Sequence, residues 1–386
     1  MTIKKIRHFL NSFYFFMLMS LITEQSCKIN VELPKGDVNK GMEVFYNPVM
    51  ESNRNIAILL LSSIENENMN IASPLAGSGI RELRFLKELK PGKIGHLFVN
   101  DIKENFPKVF AENIKLNRIK TKKINICNDD ANLFLLNQVN HCIKDEFCGY
   151  FDYIDLDPFG SPNPFLAAAV ARVTRNGILA VTATDTAALT GTYPKVTKRK
   201  YWARNVRSHM MHEIGLRILI RKVQLQGAQF DKALIPILSY NKEHYFRIYF
   251  RCIKGKEKCD ELLKQHQYLL LNQKTLEFKA SELNALKGYE YFGPLWTGKM
   301  FDRRLMMKMA KENPFPDEQK FLDLLKEESA KDRLGYYDLH ALARKHRIKT
   351  TKLEPVLKKV KGVRTHFSPT GIKTDKGVKE VLKAMI

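Results

Sequence analysis

Between about residue 55 and residue 250 the chain alternates helix-like and strand-like segments, and this alternation constrains the fold more than any other feature. "NIAILLLSSI" (55–64) reads as a helix, "NIASPLAGSG" (70–79) as a strand entering a glycine turn, and "IRELRFLKEL" (80–89) as a helix again. "KIGHLFVNDI" (93–102) is a strand ending in polar residues, "PKVFAENIKLN" (107–117) a helix, and "INICNDDANLFLL" (124–136) a strand, a turn and a helix start. "FDYIDLDPFG" (151–160) and "GILAVTATDT" (177–186) supply two more strands, followed by the long amphipathic helix "MHEIGLRILIRKVQLQGA" (211–228). "ALIPILSYN" (233–241) and "HYFRIYFRCI" (244–253) close the set as two strands at hairpin spacing. Such alternation predicts an α/β domain with a doubly wound, mostly parallel sheet. Ligands of such sheets sit beyond the carboxyl ends of the strands, which singles out Asp101, Asp130, Asp157 and Asp185.

A chain of 386 residues is too long for one ordinary core. The pattern changes after residue 255: "GYYDLHALARKHRIKTTKLEPVLKKVKG" (335–362) reads as helix, turn, helix, with Leu339, Leu342 and Ala343 on one face. "VRTHFSPTGIKTD" (363–375) follows as a hairpin or wing, so a smaller α+β C-terminal domain with a winged-helix-like part is expected. The expected divisions are 1–21, 22–255 and 256–386. The first is an N-terminal extension outside the native fold. "KKIRHFLNSFYFFMLMSLI" resembles a signal peptide but has no small-x-small cleavage site and is too short to span a bilayer comfortably. Translation is therefore expected to begin at Met17 or Met19.

Net charge is +23, which calls for a polyanionic partner. Residues 331–386 carry fifteen Lys/Arg and five Asp/Glu, a net +10, and their removal is expected to weaken nucleic-acid binding. Lys195 to Arg207, "KVTKRKYWARNVR", holds six basic residues and no acid, with Tyr201 and Trp202 among them. Bases beside aromatics suit a ligand with both phosphates and rings; a solvated basic helix face has the same composition. The six cysteines, Cys27, Cys127, Cys142, Cys148, Cys252 and Cys259, show no CxxC spacing. Reduced thiols, no metal site and a cytoplasmic location are expected. "HMMHE" (209–213) is not in the order of a zinc protease.

"AGSG" places Gly77 and Gly79 where the chain must turn tightly and approach a ligand. The dinucleotide fingerprint is incomplete, because Leu83 and Arg84 stand where a third glycine is wanted. Asp101 ends the next strand, within about 20–25 residues of the turn, where an acid accepts ribose hydroxyls. Asp130 stands where it can lie beside an adenine. Two carboxylates and a glycine turn without a phosphate cradle suit an adenosine with no phosphates, such as the cationic S-adenosylmethionine. "DPFG" then has a task at the end of the fourth strand. An exocyclic purine amine is a poor nucleophile, since its lone pair is delocalised into the ring. Oxygen acceptors beside its N–H groups, the Asp157 carboxylate and the Pro158 carbonyl, localise that pair. Phe159 offers a stacking face for a flipped base, and Asp157 can take the proton. An Asp-Pro helix start accounts for the same letters without chemistry.

The chain resembles the tRNA (guanine-26)-N2-dimethyltransferases of archaea and eukaryotes from about Ile22 to the end. The segments that carry the resemblance include "VFYNPVMESNR" (44–54), "AGSGIRELRF" (76–85), "VNDIKENFPKVFAENIKLN" (99–117), "DLDPFGSPNPFLAAAV" (155–170), "GPLWTG" (293–298) and "RTHFSPTGIKTD" (364–375). The resemblance implies a class I, Rossmann-like methyltransferase fold and transfer of one or two methyl groups to the C2 amine of a tRNA guanosine. It implies S-adenosylmethionine contacts at Arg54, Arg81, Asp101, Asp130 and Ala131, with Gly77 and Gly79 forming the turn. It implies catalytic roles for Asp157, Pro158 and Phe159, and a second aromatic face from Phe45. Ser73 departs from the family, which often has an acid at the end of the first strand; weaker cofactor affinity is expected. Larger relatives have a cysteine cluster before "GPLW", whereas this chain has only Cys252 and Cys259 nearby, so no zinc is expected. The partner is tRNA, with no membrane and a monomer favoured. A DNA amino-methyltransferase and a non-catalytic winged-helix nucleic-acid-binding protein are the competing readings.

Overall fold

The computed structural model describes residues 19–32, 44–138 and 147–386. Most of the expected N-terminal extension, and Cys142, lie outside the described residues. Met19 to Leu21 belong to strand β1 (Met19–Glu24), which pairs antiparallel with β2 (Cys27–Glu32).

One compact unit extends to Asp155 and a second runs from Leu156. In the first, β3 (Met69–Ser73), β4 (Ile94–Asn100), β5 (Ile124–Cys127) and β6 (Phe151–Leu156) alternate with helices Ile80–Glu88, Phe106–Leu116 and Ala131–Asn137. Pairs β3–β4, β4–β5 and β3–β6 are parallel. β3 and β6 are buried along almost their whole length, so both faces demand apolar residues, as in covered parallel sheets. Helix Glu51–Ser63 is also buried nearly all round, which accounts for its continuous apolar run.

The second unit contributes β7 (Val173–Ala183), β8 (Lys232–Lys242) and β9 (Tyr245–Lys254). β9 lies antiparallel between β7 and β8, so the last two strands form the expected hairpin. The hydrogen-bonded order of the seven-stranded mixed sheet is β5-β4-β3-β6-β7-β9-β8. The first strand of this sheet in chain order, β3, thus sits inside the sheet with β4 on one side and β6 on the other, which sets up a switch point for a ligand.

A three-stranded antiparallel sheet of β10 (His266–Asn272), β11 (Phe278–Ser281) and β12 (Tyr289–Trp296) follows, in the order β11-β10-β12. Beyond it, β13 (Tyr337–Asp338), helices Leu339–His346 and Leu353–Val360, and the hairpin β14 (Val363–Thr365) and β15 (Ser368–Lys373) form a sheet of order β13-β15-β14. Leu339, Leu342 and Ala343 are buried together with Val356, Val360, Ile372 and Val381, as their helical spacing predicts. Among the described residues no helix is long and apolar enough to cross a membrane.

Candidate active site

In the first unit the site is built around the turn between β3 and helix Ile80–Glu88. Gly77 and Gly79 have φ of +60° and +74°, the left-handed region that favours glycine. A Cβ on Gly79 would lie 2.2 Å from the Phe110 ring, and one on Gly77 would lie 3.2 Å from the half-buried Phe45 ring. Gly77 N–H donates to Asp101 Oδ2 at 2.8 Å, and Lys103 N–H donates to Oδ1 at 3.1 Å. Each oxygen retains lone-pair capacity for a hydroxyl donor. Burial raises the Asp101 pKa even though these backbone donors pull it down. Asn100, fully buried at the end of β4, ties the turn to the next one: its Nδ2 donates to Pro74 O at 3.0 Å and Asp129 O at 2.9 Å, and its Oδ1 accepts from Asp129 N–H.

Asp130 caps helix Ala131–Asn137, its Oδ1 accepting from Asn132 N–H at 2.9 Å and Leu133 N–H at 3.2 Å. Ala131 is the buried first residue of that helix. Arg81 lies 3.7 Å from Asp155, which accepts from Tyr153 Oη at 2.6 Å. Arg54 is held at a distance from this turn in sequence, in a buried cluster with Glu24. Its Nε donates to Glu24 Oε1 at 2.7 Å, and its guanidinium also reaches Asn47 O at 3.2 Å. Arg84 and Tyr46 bind the same carboxylate. Burial opposes ionisation of Glu24, but the two arginines hold its pKa below the usual value. Arg54 thus fastens the segment that carries Phe45. Ser73 ends β3, its hydroxyl buried with no hydrogen-bond partner among the described residues.

In the second unit, Asp157 is half-buried, Pro158 buried and Phe159 38 % exposed. Gly160, with φ +80°, closes the turn. Its N–H donates to Thr184 Oγ1 at 2.7 Å, and Thr184 N–H donates back to Gly160 O at 2.9 Å. The helix after the turn begins only at Leu166, preceded by a 3-10 turn at Asn163–Phe165. Asp157 therefore does not cap that helix, contrary to the Asp-Pro helix-start reading. Asp185 accepts from Tyr201 Oη at 2.6 Å and pairs with Lys200 at 3.3 Å. Among the described residues no three His, Cys, Asp or Glu side chains gather at metal-binding spacing. Burial pushes the Cys252 thiol up to about 11.

Residues 22–386 match the family model described as N2,N2-dimethylguanosine tRNA methyltransferase. The chain belongs to this family. It is 38 % identical over 388 residues to a tRNA (guanine(26)-N(2)/guanine(27)-N(2))-dimethyltransferase of Aquifex aeolicus, covering 95 % of this chain and 96 % of that one. It is 37 % identical over 383 residues to a tRNA (guanine(26)-N(2))-dimethyltransferase of Methanobrevibacter smithii, covering 92 % and 95 %. Its fold is similar to that of Trm1 from Pyrococcus horikoshii in complex with S-adenosyl-L-methionine, with TM-score 0.82 and 32 % identity over 95 % of this chain and 99 % of that one.

For this tRNA methyltransferase family member, sequence reasoning missed Asn100, Thr184 and Glu24. Asn100 carried a signal, a polar residue closing an apolar strand. Thr184 follows β7 directly, and nothing in its spacing ties it to Gly160. Glu24 stands 30 residues from Arg54 and 60 from Arg84, with no periodic pattern linking them.

Proposed function

We propose that the chain transfers one or two methyl groups from S-adenosylmethionine to the N2 amine of guanosine 26 of tRNA. Membership of the family over residues 22–386 carries this reading. The glycine turn fits an adenosine without phosphates, because left-handed backbone at Gly77 and Gly79 packs tightly against Phe45 and Phe110 and Asp101 presents a carboxylate beside the turn. S-adenosylmethionine, when bound, supplies an electrophilic methyl group. Asp101 accepts the ribose hydroxyls, Asp130 and Ala131 border the adenine, and Arg81 with the turn holds the amino-acid end. Arg54 acts by fastening Asn47 and hence Phe45. Phe45 and Phe159 hold the guanine ring. The Asp157 carboxylate and the Pro158 carbonyl accept the N2 hydrogens and localise the nitrogen lone pair. The nitrogen bonds to the methyl carbon as the carbon–sulfur bond breaks, and the released proton goes to Asp157.

Residues 22–255 form the methyl-transferring part in this reading and 256–386 the tRNA-binding part, with residues 335–375 as a winged helix. The protein works as a monomer in the cytoplasm. The Aquifex relative is named for guanine 27 as well as guanine 26, so the target is tested at both positions. Purified protein is incubated with labelled S-adenosylmethionine and unmodified tRNA transcript or duplex DNA, and digested tRNA is mapped by mass spectrometry. N2-methylguanosine at position 26 is the expected product. Label in DNA alone, or in neither substrate, refutes the proposal.

A further inference from the structure

The mechanism leaves one sequence feature unused, the basic and aromatic stretch at 193–207. Its centre is helix Pro194–Tyr201. The inner face is fixed by Thr197 and Tyr201, one turn apart and both buried. Thr197 Oγ1 donates to Ala188 O, and Tyr201 Oη donates to Asp185 Oδ1 at 2.6 Å and lies 3.0 Å from Ser161 Oγ. Asn163 Nδ2 donates to Lys200 O at 2.9 Å. Two side chains just beyond the Asp157–Gly160 turn are therefore bonded directly to this helix.

The outer face carries Lys195, Lys198 and Arg199, all exposed, at spacings that put them on one side. No carboxylate of the described residues pairs with any of the three. Lys200 is different, since Asp185 partly neutralises it at 3.3 Å, and Arg204 is held by Glu290 at 2.7 Å. Trp202 ends the helix in the left-handed region, φ +54°, unusual for a bulky side chain and strained. Trp202 is 55 % exposed, and Lys222 Nζ stands 3.2 Å from its ring centroid. Tyr193, at the other end, is 59 % exposed.

We propose that this helix docks the sugar-phosphate backbone of the tRNA, with Lys195, Lys198 and Arg199 on successive phosphates and Trp202 as a stacking platform, and that docking is transmitted to the catalytic turn through Tyr201 and Asn163. The proposal rests on the tRNA reading above. Three unneutralised cations within one helical turn match a phosphate backbone. The two exposed rings stand singly at opposite ends of a charged face and offer stacking positions. They form no continuous apolar strip of the sort that enters a bilayer surface.

The test measures binding of unmodified tRNA to the full chain and to Lys195→Ala/Lys198→Ala/Arg199→Ala, without methyl donor, across a salt series. The slope of log affinity against log salt should become shallower by about 2–3, so the loss between about 50 and 200 mM salt shrinks by roughly 15–60-fold. S-adenosylmethionine affinity should not change. Tyr201→Phe should keep tRNA affinity and lower kcat, a split that a merely structural loss would not produce. An unchanged slope in the triple variant overturns the proposal, as does a variant that loses binding to phosphatidylserine vesicles while keeping tRNA. The expected slope change in the triple variant, with a wild-type protein that methylates no guanosine, supports the surface and refutes the activity. Methylation with an unchanged slope does the reverse.

Discussion

Glu82 gives the sharpest quantitative test of how the first unit is built. It lies on helix Ile80–Glu88 beside the glycine turn and is 1 % exposed. Its Oε2 is buried with no hydrogen-bond partner among the described residues. Burial pushes its pKa up from 4.5 to about 7, against the pull of the Ser73 hydroxyl and Arg81. Between these values the native state holds a proton that the unfolded chain has released, so stability falls as pH rises and the full cost is reached above about pH 7. A difference of about 2.5 units at 1.36 kcal/mol each is ~3 kcal/mol. Glu82→Gln cannot ionise and escapes this cost. Urea unfolding of both proteins at pH 4.5 and 8.5 should show the stability of the Gln variant relative to wild type rising by about 3 kcal/mol between the two pH values. Titrations elsewhere cancel in that difference. A gap between the proteins that stays constant with pH would show that Glu82 ionises freely and that the carboxyl is not held dry.

Three further outcomes are expected. Asp157→Ala should abolish methyl transfer while leaving S-adenosylmethionine binding near normal, measured by calorimetry beside a single-turnover assay; transfer at the parent rate would remove Asp157 from the chemistry. Gly79→Ala should destabilise by about 2 kcal/mol or more, because it combines a left-handed φ with a Cβ 2.2 Å from Phe110; a change under about 0.5 kcal/mol in denaturant unfolding would contradict the packing. Lys373→Met should cost about 3–5 kcal/mol, since Lys373 Nζ lies 3.0 Å from Glu213 and 3.7 Å from Glu328, both fully buried; thermal and urea unfolding read the loss, and unaltered stability would refute the ion pairing.

The legible parts of this chain are those that topology dictates. A strand buried on both faces must be apolar and must stop where a ligand or solvent begins, so β3, β4 and β6 and the polar residues after them stand out in the sequence. A turn that admits no side chain must be glycine, and Gly77 and Gly79 stand out for that reason. The fastenings are not legible. Glu24 with Arg54, Gly160 with Thr184, and Tyr201 with Asp185 each join single polar residues far apart in sequence, with no period to betray them. The sheet of β10, β11 and β12 is not legible either, because β11 has four residues and is largely exposed, and no helices alternate with these strands to mark them.

The fifteen basic residues of 331–386 suggest a detachable module whose removal would only weaken tRNA binding. Four of them are already paired with carboxylates: Lys331 and Arg333 with Asp375, Arg364 with Glu354, and Lys373 with Glu213. Glu213 belongs to helix Met211–Ala228, where Arg217 is its other cationic partner, and Arg217 in turn donates to Arg333 O at 3.0 Å. Cutting the chain before Lys331 would leave Glu213 buried without Lys373 and expose the partners of Tyr336, which donates to His209 O. Such a truncation would lose binding through unfolding whether or not the segment touches RNA. Lysines that the fold does not consume, such as Lys345, Lys349 and Lys352, are the positions at which substitution reads backbone contact alone.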